Sequence, residues 1–265
     1  MFASFRNNLI ITWHQTLLDL KKGFKGNSFV LDHDWGKLWY SGDGDRQELL
    51  YHIKGSKWYQ NEYQKLSKLI SPGSTVVDVG ANMGFMALIF SRLTGKRGKV
   101  ISLEPSKTTF IKLRKNLEEN RLINVICKNI GCASHSMAAE LRKLSGSSGH
   151  SSLAVSADEA PRAKAEKVVV DTLDSIIAPY GKVDFLKIDT EGFECEVLEG
   201  AKKVLKESRP VIYIELSAQY QESSERSIAI LKEAGYVFLS DPKFSGNHSG
   251  DNFIAVPAEN LKQSA

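Results

Sequence analysis

Val76-Val77-Asp78-Val79-Gly80-Ala81-Asn82-Met83-Gly84 lies between the start of a β-branched run at Thr75 and the apolar stretch Phe85 to Leu93. An acid at a strand end, a glycine two residues on and a second glycine four further along make a strand-turn-helix joint. Glycine carries no Cβ to keep backbone away from a ligand, and the free N–H groups at a helix start favour polar or anionic groups. The spacing is Asp-x-Gly-x-x-x-Gly, whereas a dinucleotide site uses Gly-x-Gly-x-x-Gly to take a pyrophosphate. A carboxylate beside the turn repels a pyrophosphate and can help hold an ammonium. The joint therefore suits a ligand without phosphate.

Outward from this joint the chain alternates strand and helix. Val100 to Leu103 reads as a strand, Ser106 to Asn120 as an amphipathic helix carrying Phe110, Leu113 and Leu117, and Asn124 to Cys127 as a third strand. Parallel strands need crossovers long enough for a helix, so this βαβαβ order predicts an α/β domain with helices on both faces of a largely parallel sheet. Further strands are expected at Val168 to Val170, Val183 to Ile188, Val211 to Leu216, Tyr236 to Leu239 and Asn252 to Val256. Helices are expected near Thr172 to Ile177, over Phe193 to Leu205 and over Ser224 to Ala234. The Ser/Gly-rich stretch Ser145 to Lys167 reads as a mobile surface loop. Upstream, Lys57 to Ile70 is helical in spacing, and Ser28 to Leu31 with Lys37 to Tyr40 predicts a β-hairpin. The expected organisation is an N-terminal helix and hairpin cap at 1–56, a Rossmann-like domain at 57–257 and a tail at 258–265.

Composition narrows the function classes. With 35 basic and 31 acidic residues the net charge is only +4, spread along all 265 residues, which argues against nucleic acid as a partner. Cys127, Cys132 and Cys195 have neither an even count nor zinc spacing and fit a reducing, cytoplasmic compartment. No run is apolar for long enough to read as a transmembrane segment. Residues 1–25 carry the helical pattern Phe5, Leu9, Trp13, Leu17, Leu20, followed by Lys21, Lys22 and Lys25. Such a helix docks on its own domain, or rests as a peripheral contact on a membrane surface or partner.

The second strand ends in Leu103-Glu104-Pro105, where a carboxylate can accept both hydroxyl hydrogens of a ribose. Capping the helix at Ser106 is the alternative role, although Ser106 is itself a good N-cap residue. At the fourth and fifth strand ends stand Asp189, Glu191 and Glu215, in the position where open α/β sheets bind ligands.

Taken in order, Asp78 to Gly84, Glu104-Pro105, Gly149-His150-Ser151-Ser152-Leu153, Thr172-Leu173-Asp174 and Val183 to Glu194 resemble the FkbM-type methyltransferases. The resemblance implies a class I methyltransferase fold, a Rossmann-like seven-stranded sheet whose last strand is antiparallel. It implies S-adenosylmethionine as cofactor and methyl transfer to a hydroxyl of a sugar, glycolipid or natural product. On that basis Asp78 and Gly80 lie beside the methionine part, Ala81, Asn82 and Gly84 belong to the same cofactor-binding turn, Glu104 lies on the ribose, and Asn129 and Ile130 near the adenine. Asp189 and Glu191 are the candidate acid/base pair, with His248 in Gly246 to Gly250 as an alternative base. Asp189 and Glu215 could instead hold a divalent metal, a less favoured arrangement. A non-catalytic nucleotide-binding domain would keep the glycines and Glu104 but lack the strand-end carboxylates. An NAD-dependent oxidoreductase is disfavoured by the glycine spacing and by the absence of a Tyr-x-x-x-Lys pair.

Overall fold

β1 (Ser28–His33) and β2 (Gly36–Ser41) form an antiparallel hairpin, followed by helix α1 (Ser56–Leu66). They belong to a computed structural model that describes residues 28–33, 36–41, 56–143, 151–153, 164–242 and 251–261. The central alternation runs β3 (Thr75–Val79), α2 (Phe85–Thr94), β4 (Lys99–Leu103), α3 (Lys107–Glu119) and β5 (Val125–Lys128). Next come β6 (Gly131–Cys132), β7 (Met137–Lys143), β8 (Ser151–Ser152) and β9 (Lys164–Asp171), then α4 (Leu173–Ile177). β10 (Phe185–Ile188), α5 (Glu194–Glu199), β11 (Val211–Leu216), α6 (Gln221–Glu233), β12 (Tyr236–Phe238), β13 (Asp251–Pro257) and α7 (Ala258–Leu261) complete the chain.

The main sheet has seven strands in the order β12-β13-β11-β10-β3-β4-β5. β3, β4, β5, β10 and β11 are parallel, and β13, the last strand, runs antiparallel between β11 and β12. This is the expected Rossmann-like sheet with one reversed strand. Apolar side chains alternate to both faces, as a doubly covered sheet requires. Val77, Val79, Leu186, Ile188, Ile212 and Ile214 meet α4, α5 and α6 through Leu173, Val197, Leu198 and Leu231. On the other face Val76, Phe185 and Tyr213 meet α1 and α2 through Leu66, Leu88 and Ile89, and Leu38 and Tyr40 of the hairpin join that same core.

A second, four-stranded sheet, β6-β9-β7-β8, follows the third strand of the main sheet. It corrects the expectation of a loop from Ser145 to Lys167: residues 151–152 pair with β7, and β9 begins at Lys164. The expected single helix from Phe193 to Leu205 is also interrupted. Asp174 accepts hydrogen bonds from Lys203 N–H and Val204 N–H, both at 2.9 Å, and so starts a separate helical turn. Residues 1–25, and with them the proposed docking helix, lie outside the described residues, as does His248. Among the described residues no helix is long and apolar enough to cross a membrane.

Two asparagines, Asn116 in α3 and Asn120 at its C-terminal cap, clip the hairpin to the domain. Asn116, fully buried, accepts from Trp39 N–H at 2.8 Å and donates to the Met83 carbonyl at 2.7 Å. Asn120 accepts from Lys37 N–H at 2.8 Å and donates to its carbonyl at 2.6 Å. Because Met83 belongs to the Asp78–Gly84 turn, Asn116 joins hairpin, helix and turn. Asn116→Ala should cost about 2 kcal/mol in urea unfolding, since it removes a partner from two backbone groups. Unchanged stability would show that Asn116 adds nothing to what Asn120 and the apolar contacts already supply.

Candidate active site

The sheet register places the site before any ligand is considered. Asp78, Lys187 and Tyr213 pair in one row across β3, β10 and β11. Two residues further along each strand lie Gly80, Asp189 and Glu215, so the same face carries a second polar row at the carboxyl ends of three parallel strands.

Lys187 is the centre of the lower row. Its side chain is 4% exposed, and its ammonium lies 3.4 Å from Asp78 Oδ1, 3.1 Å from Asp189 Oδ2 and 3.1 Å from the Gly80 carbonyl. Burial alone would disfavour the ammonium, but Asp189 and Asp78 push its pKa up. Asp78 has no exposed surface, and neither of its oxygens takes a hydrogen bond of ordinary geometry. Burial raises its pKa against the opposing pull of Lys187. Asp78 thus stands buried behind the glycine turn, paired with Lys187. Asp189 is partly exposed at 35%. Although burial opposes its charge, Lys187 and a hydrogen bond from Glu215 hold its pKa below the ordinary value.

Gly80 (φ 78°) closes the first turn against the second. A Cβ there would overlap the Asp189 carbonyl oxygen, so no other residue fits. Gly80 and Ala81 N–H both donate to the Leu103 carbonyl at 3.0 Å, and Asp189 N–H donates to the Val79 carbonyl at 3.2 Å. Asn82, also left-handed (φ 47°), donates its N–H to Glu104 Oε2 at 3.0 Å. Glu104 Oε1 accepts from Ser106 N–H at 2.9 Å, so the helix-start role weighed from the sequence is real. It does not exhaust the carboxylate, because each oxygen takes one N–H and has further lone-pair capacity. Burial pushes the Glu104 pKa up to about 7.

Beyond Glu104, the exposed Asn129 donates to the Glu104 and Pro105 carbonyls at 2.9 and 2.8 Å, and Ile130 is half-buried against the main core. Glu166 of β9 closes the start of α3, accepting from Ser106 Oγ at 2.8 Å and Lys107 N–H at 2.7 Å. The second sheet thereby reaches the start of α3, next to Glu104.

One oxygen from each of Asp189, Glu191 and Glu215 lies within 4.8 Å of the others. Three carboxylates that close cannot all be ionised without partners. Asp189 first, then burial, pushes the Glu215 pKa well above normal, and the two share a hydrogen bond. Burial, with Asp189 and Glu194, raises the Glu191 pKa to about 8. A divalent cation here would compete with the Lys187 ammonium already bound to Asp189. On the same face, two residues before Glu215 on β11, Tyr213 donates its hydroxyl hydrogen to the Glu62 carboxylate of α1, anchoring α1 to β11.

The sequence reading missed Lys187 and Glu194. Glu194 Oε1 accepts from Thr190 N–H and Oγ1, both at 2.9 Å, and from Gly192 N–H at 3.2 Å, and so shapes the turn that carries Glu191. The available signal was a lone cation inside the apolar run Val183 to Ile188 with acids at either end.

A model of the methyltransferase FkbM domain matches residues 78–238. Among solved structures, the chain is similar to a Clostridium thermocellum protein taken to be an rRNA-methylase, at 12% identity and TM-score 0.50, covering 75% of this chain and 94% of that one. It is also similar to the FkbM methyltransferase of Methylobacillus flagellatus KT, at 18% identity and TM-score 0.48, covering 82% of this chain and 55% of that one. A third is Aeropyrum pernix fibrillarin with natively bound S-adenosyl-L-methionine, at 15% identity and TM-score 0.45, covering 74% of each chain. At such identities the structural likeness speaks for the fold alone.

The buried ion pairs give a direct stability test. Lys187→Met should cost about 3 kcal/mol or more in urea unfolding near neutral pH, because Asp78 is left buried beside no cation. Adding Asp78→Asn to that variant should recover part of the loss. A fully additive double variant would show that the two side chains are not coupled.

Proposed function

This chain belongs to the FkbM methyltransferase domain family, and from that membership we propose that it is an S-adenosylmethionine-dependent O-methyltransferase acting on a hydroxyl of a sugar, glycolipid or natural product. The observation that carries this reading is the contact of two turns. The Gly80 turn with Glu104 faces the nucleoside side, and the Asp189–Gly192 turn presents carboxylates to an acceptor.

The residues fit the cofactor. Glu104 offers remaining lone pairs to a ribose diol, Gly80, Ala81, Asn82 and Gly84 form the bare turn beside it, and Asn129 and Ile130 border the adenine side. Asp78 acts through Lys187, fixing the turn. The cofactor, when bound, supplies an electrophilic methyl group on sulfur. What remains is alignment of a hydroxyl and removal of its proton. Asp189, kept ionised by Lys187, is a hydrogen-bond acceptor that orients the hydroxyl. Glu191 has the better-matched affinity for its proton, since a base near the working pH is the most effective. The acidic mouth favours a neutral hydroxyl acceptor over a nucleic-acid phosphate. Three free thiols agree with a cytoplasmic setting.

S-adenosylhomocysteine should bind in calorimetry, and Glu104→Gln should weaken it about tenfold or more. Hydroxyls donating to Glu104 favour its ionised form, so affinity should strengthen as pH rises through about 7, a dependence that Glu104→Gln abolishes. No binding by the wild-type chain would end the methyltransferase reading.

If Glu191 is the base it must lose its proton first, so turnover should rise with pH and level off above about 8. Glu191→Gln should lower turnover on the order of 10²-fold or more and flatten that limb. An unchanged profile would move the base to Asp189.

A further inference from the structure

Glu191 reaches the carboxylate cluster from a left-handed backbone (φ 55°) that a residue with a side chain rarely adopts, and it is followed by Gly192 at φ 99°. Such a conformation persists only where its surroundings over-determine it. From within the same turn, Glu194 holds the N–H groups of Thr190 and Gly192. From outside it, Ser152 Oγ donates a 2.6 Å hydrogen bond to the Glu191 carbonyl oxygen. Ser152 is fully buried and belongs to β8, at the edge of the second sheet. The ring of Tyr220 lies against Gly192 so closely that any Cβ there would collide with it, and its hydroxyl is a further hydrogen-bonding neighbour of Ser152. The peptide of Glu191 is therefore clamped on its carbonyl side by a residue 39 positions away in sequence.

We propose that Ser152 is a positioning residue for methyl transfer: its hydroxyl fixes the Glu191 peptide and so aims the Glu191 carboxylate at the acceptor beside Asp189 and Glu215. This rests on Glu191 as the base proposed above. Ser152 acts through Glu191 and touches no reacting atom. The same sheet holds the start of α3 through Glu166, so one element braces both the nucleoside side and the acceptor side. A misplacement of about 1 Å at a reacting group can cost on the order of 10²-fold in rate, whereas ligand affinity on the other side of the site is untouched by it.

The test compares wild type, Ser152→Ala and Ser152→Thr in three measurements. S-adenosylhomocysteine affinity is read by calorimetry. Turnover is read with water as the acceptor: the sulfur–methyl bond breaks, a methyl–oxygen bond forms, and methanol, S-adenosylhomocysteine and a proton taken by Glu191 result. Amide exchange is read at Thr190 and Gly192. Ser152→Ala should lower turnover about tenfold to 10²-fold while affinity stays within about twofold, and should speed exchange at both amides. Ser152→Thr, which keeps the hydroxyl, should restore all three. Wild-type turnover or unchanged exchange in Ser152→Ala, or a threonine variant as poor as alanine, would overturn the proposal. If the wild-type chain binds no S-adenosylhomocysteine, the methyltransferase reading fails, and the exchange comparison alone still decides whether Ser152 holds the turn.

Discussion

A single buried ammonium organises this molecule. Lys187 sits in the middle strand of the sheet, between an acid that ends β3 and an acid that follows β10, with the Gly80 carbonyl as its third partner. Removing a cation from water is costly, and the cost is offset only when every donor finds an acceptor. Here the three acceptors come from the two strand ends and the turns that follow them, so satisfying Lys187 sets the spacing between the Gly80 turn and the Asp189 turn. Gly80 makes that spacing attainable, because any side chain there would run into the Asp189 carbonyl.

The same ammonium divides the labour among carboxylates. Asp189, beside it, stays ionised. Glu215 and Glu191, further from compensation and closer to Asp189, hold their protons more tightly. Carboxyl groups with one oxygen each within 4.8 Å of the others thus differ in how firmly they hold a proton, which is what the proposed division between an orienting anion and a base requires. Glu104, buried on the other side of the Gly80 turn, is held by two backbone N–H groups, one on each carboxylate oxygen.

Much of this was legible in the sequence where chemistry is local. Asp78, Gly80, Glu104 and Asp189 are marked by their place at strand ends, and the strand-helix alternation implies a largely parallel sheet covered by helices on both faces. What was not legible depends on partners remote in sequence. Lys187 stands in an apolar strand, where a lysine makes sense only once Asp78 and Asp189 are known to flank it. The second sheet was hidden because β7 turns few large apolar residues inward: Leu141 is buried, while Met137 and Ala138 are exposed. Alternation without bulky side chains gives little strand signal. The break after α5 comes from Asp174, some 30 residues upstream of the amides it caps. Ser152 was noticed only as part of a motif, and its role follows from a contact with Glu191 that no spacing reveals.

On the proposed function, the two turns joined by Lys187 face one ligand from opposite sides. A crystal structure of the chain with S-adenosylhomocysteine tests it most directly. The ribose hydroxyls should lie on Glu104, the homocysteine end along Gly80 to Asn82, and the sulfur should point toward Asp189, Glu191 and Glu215. A ligand bound elsewhere, or with its sulfur turned away from those carboxylates, would contradict it.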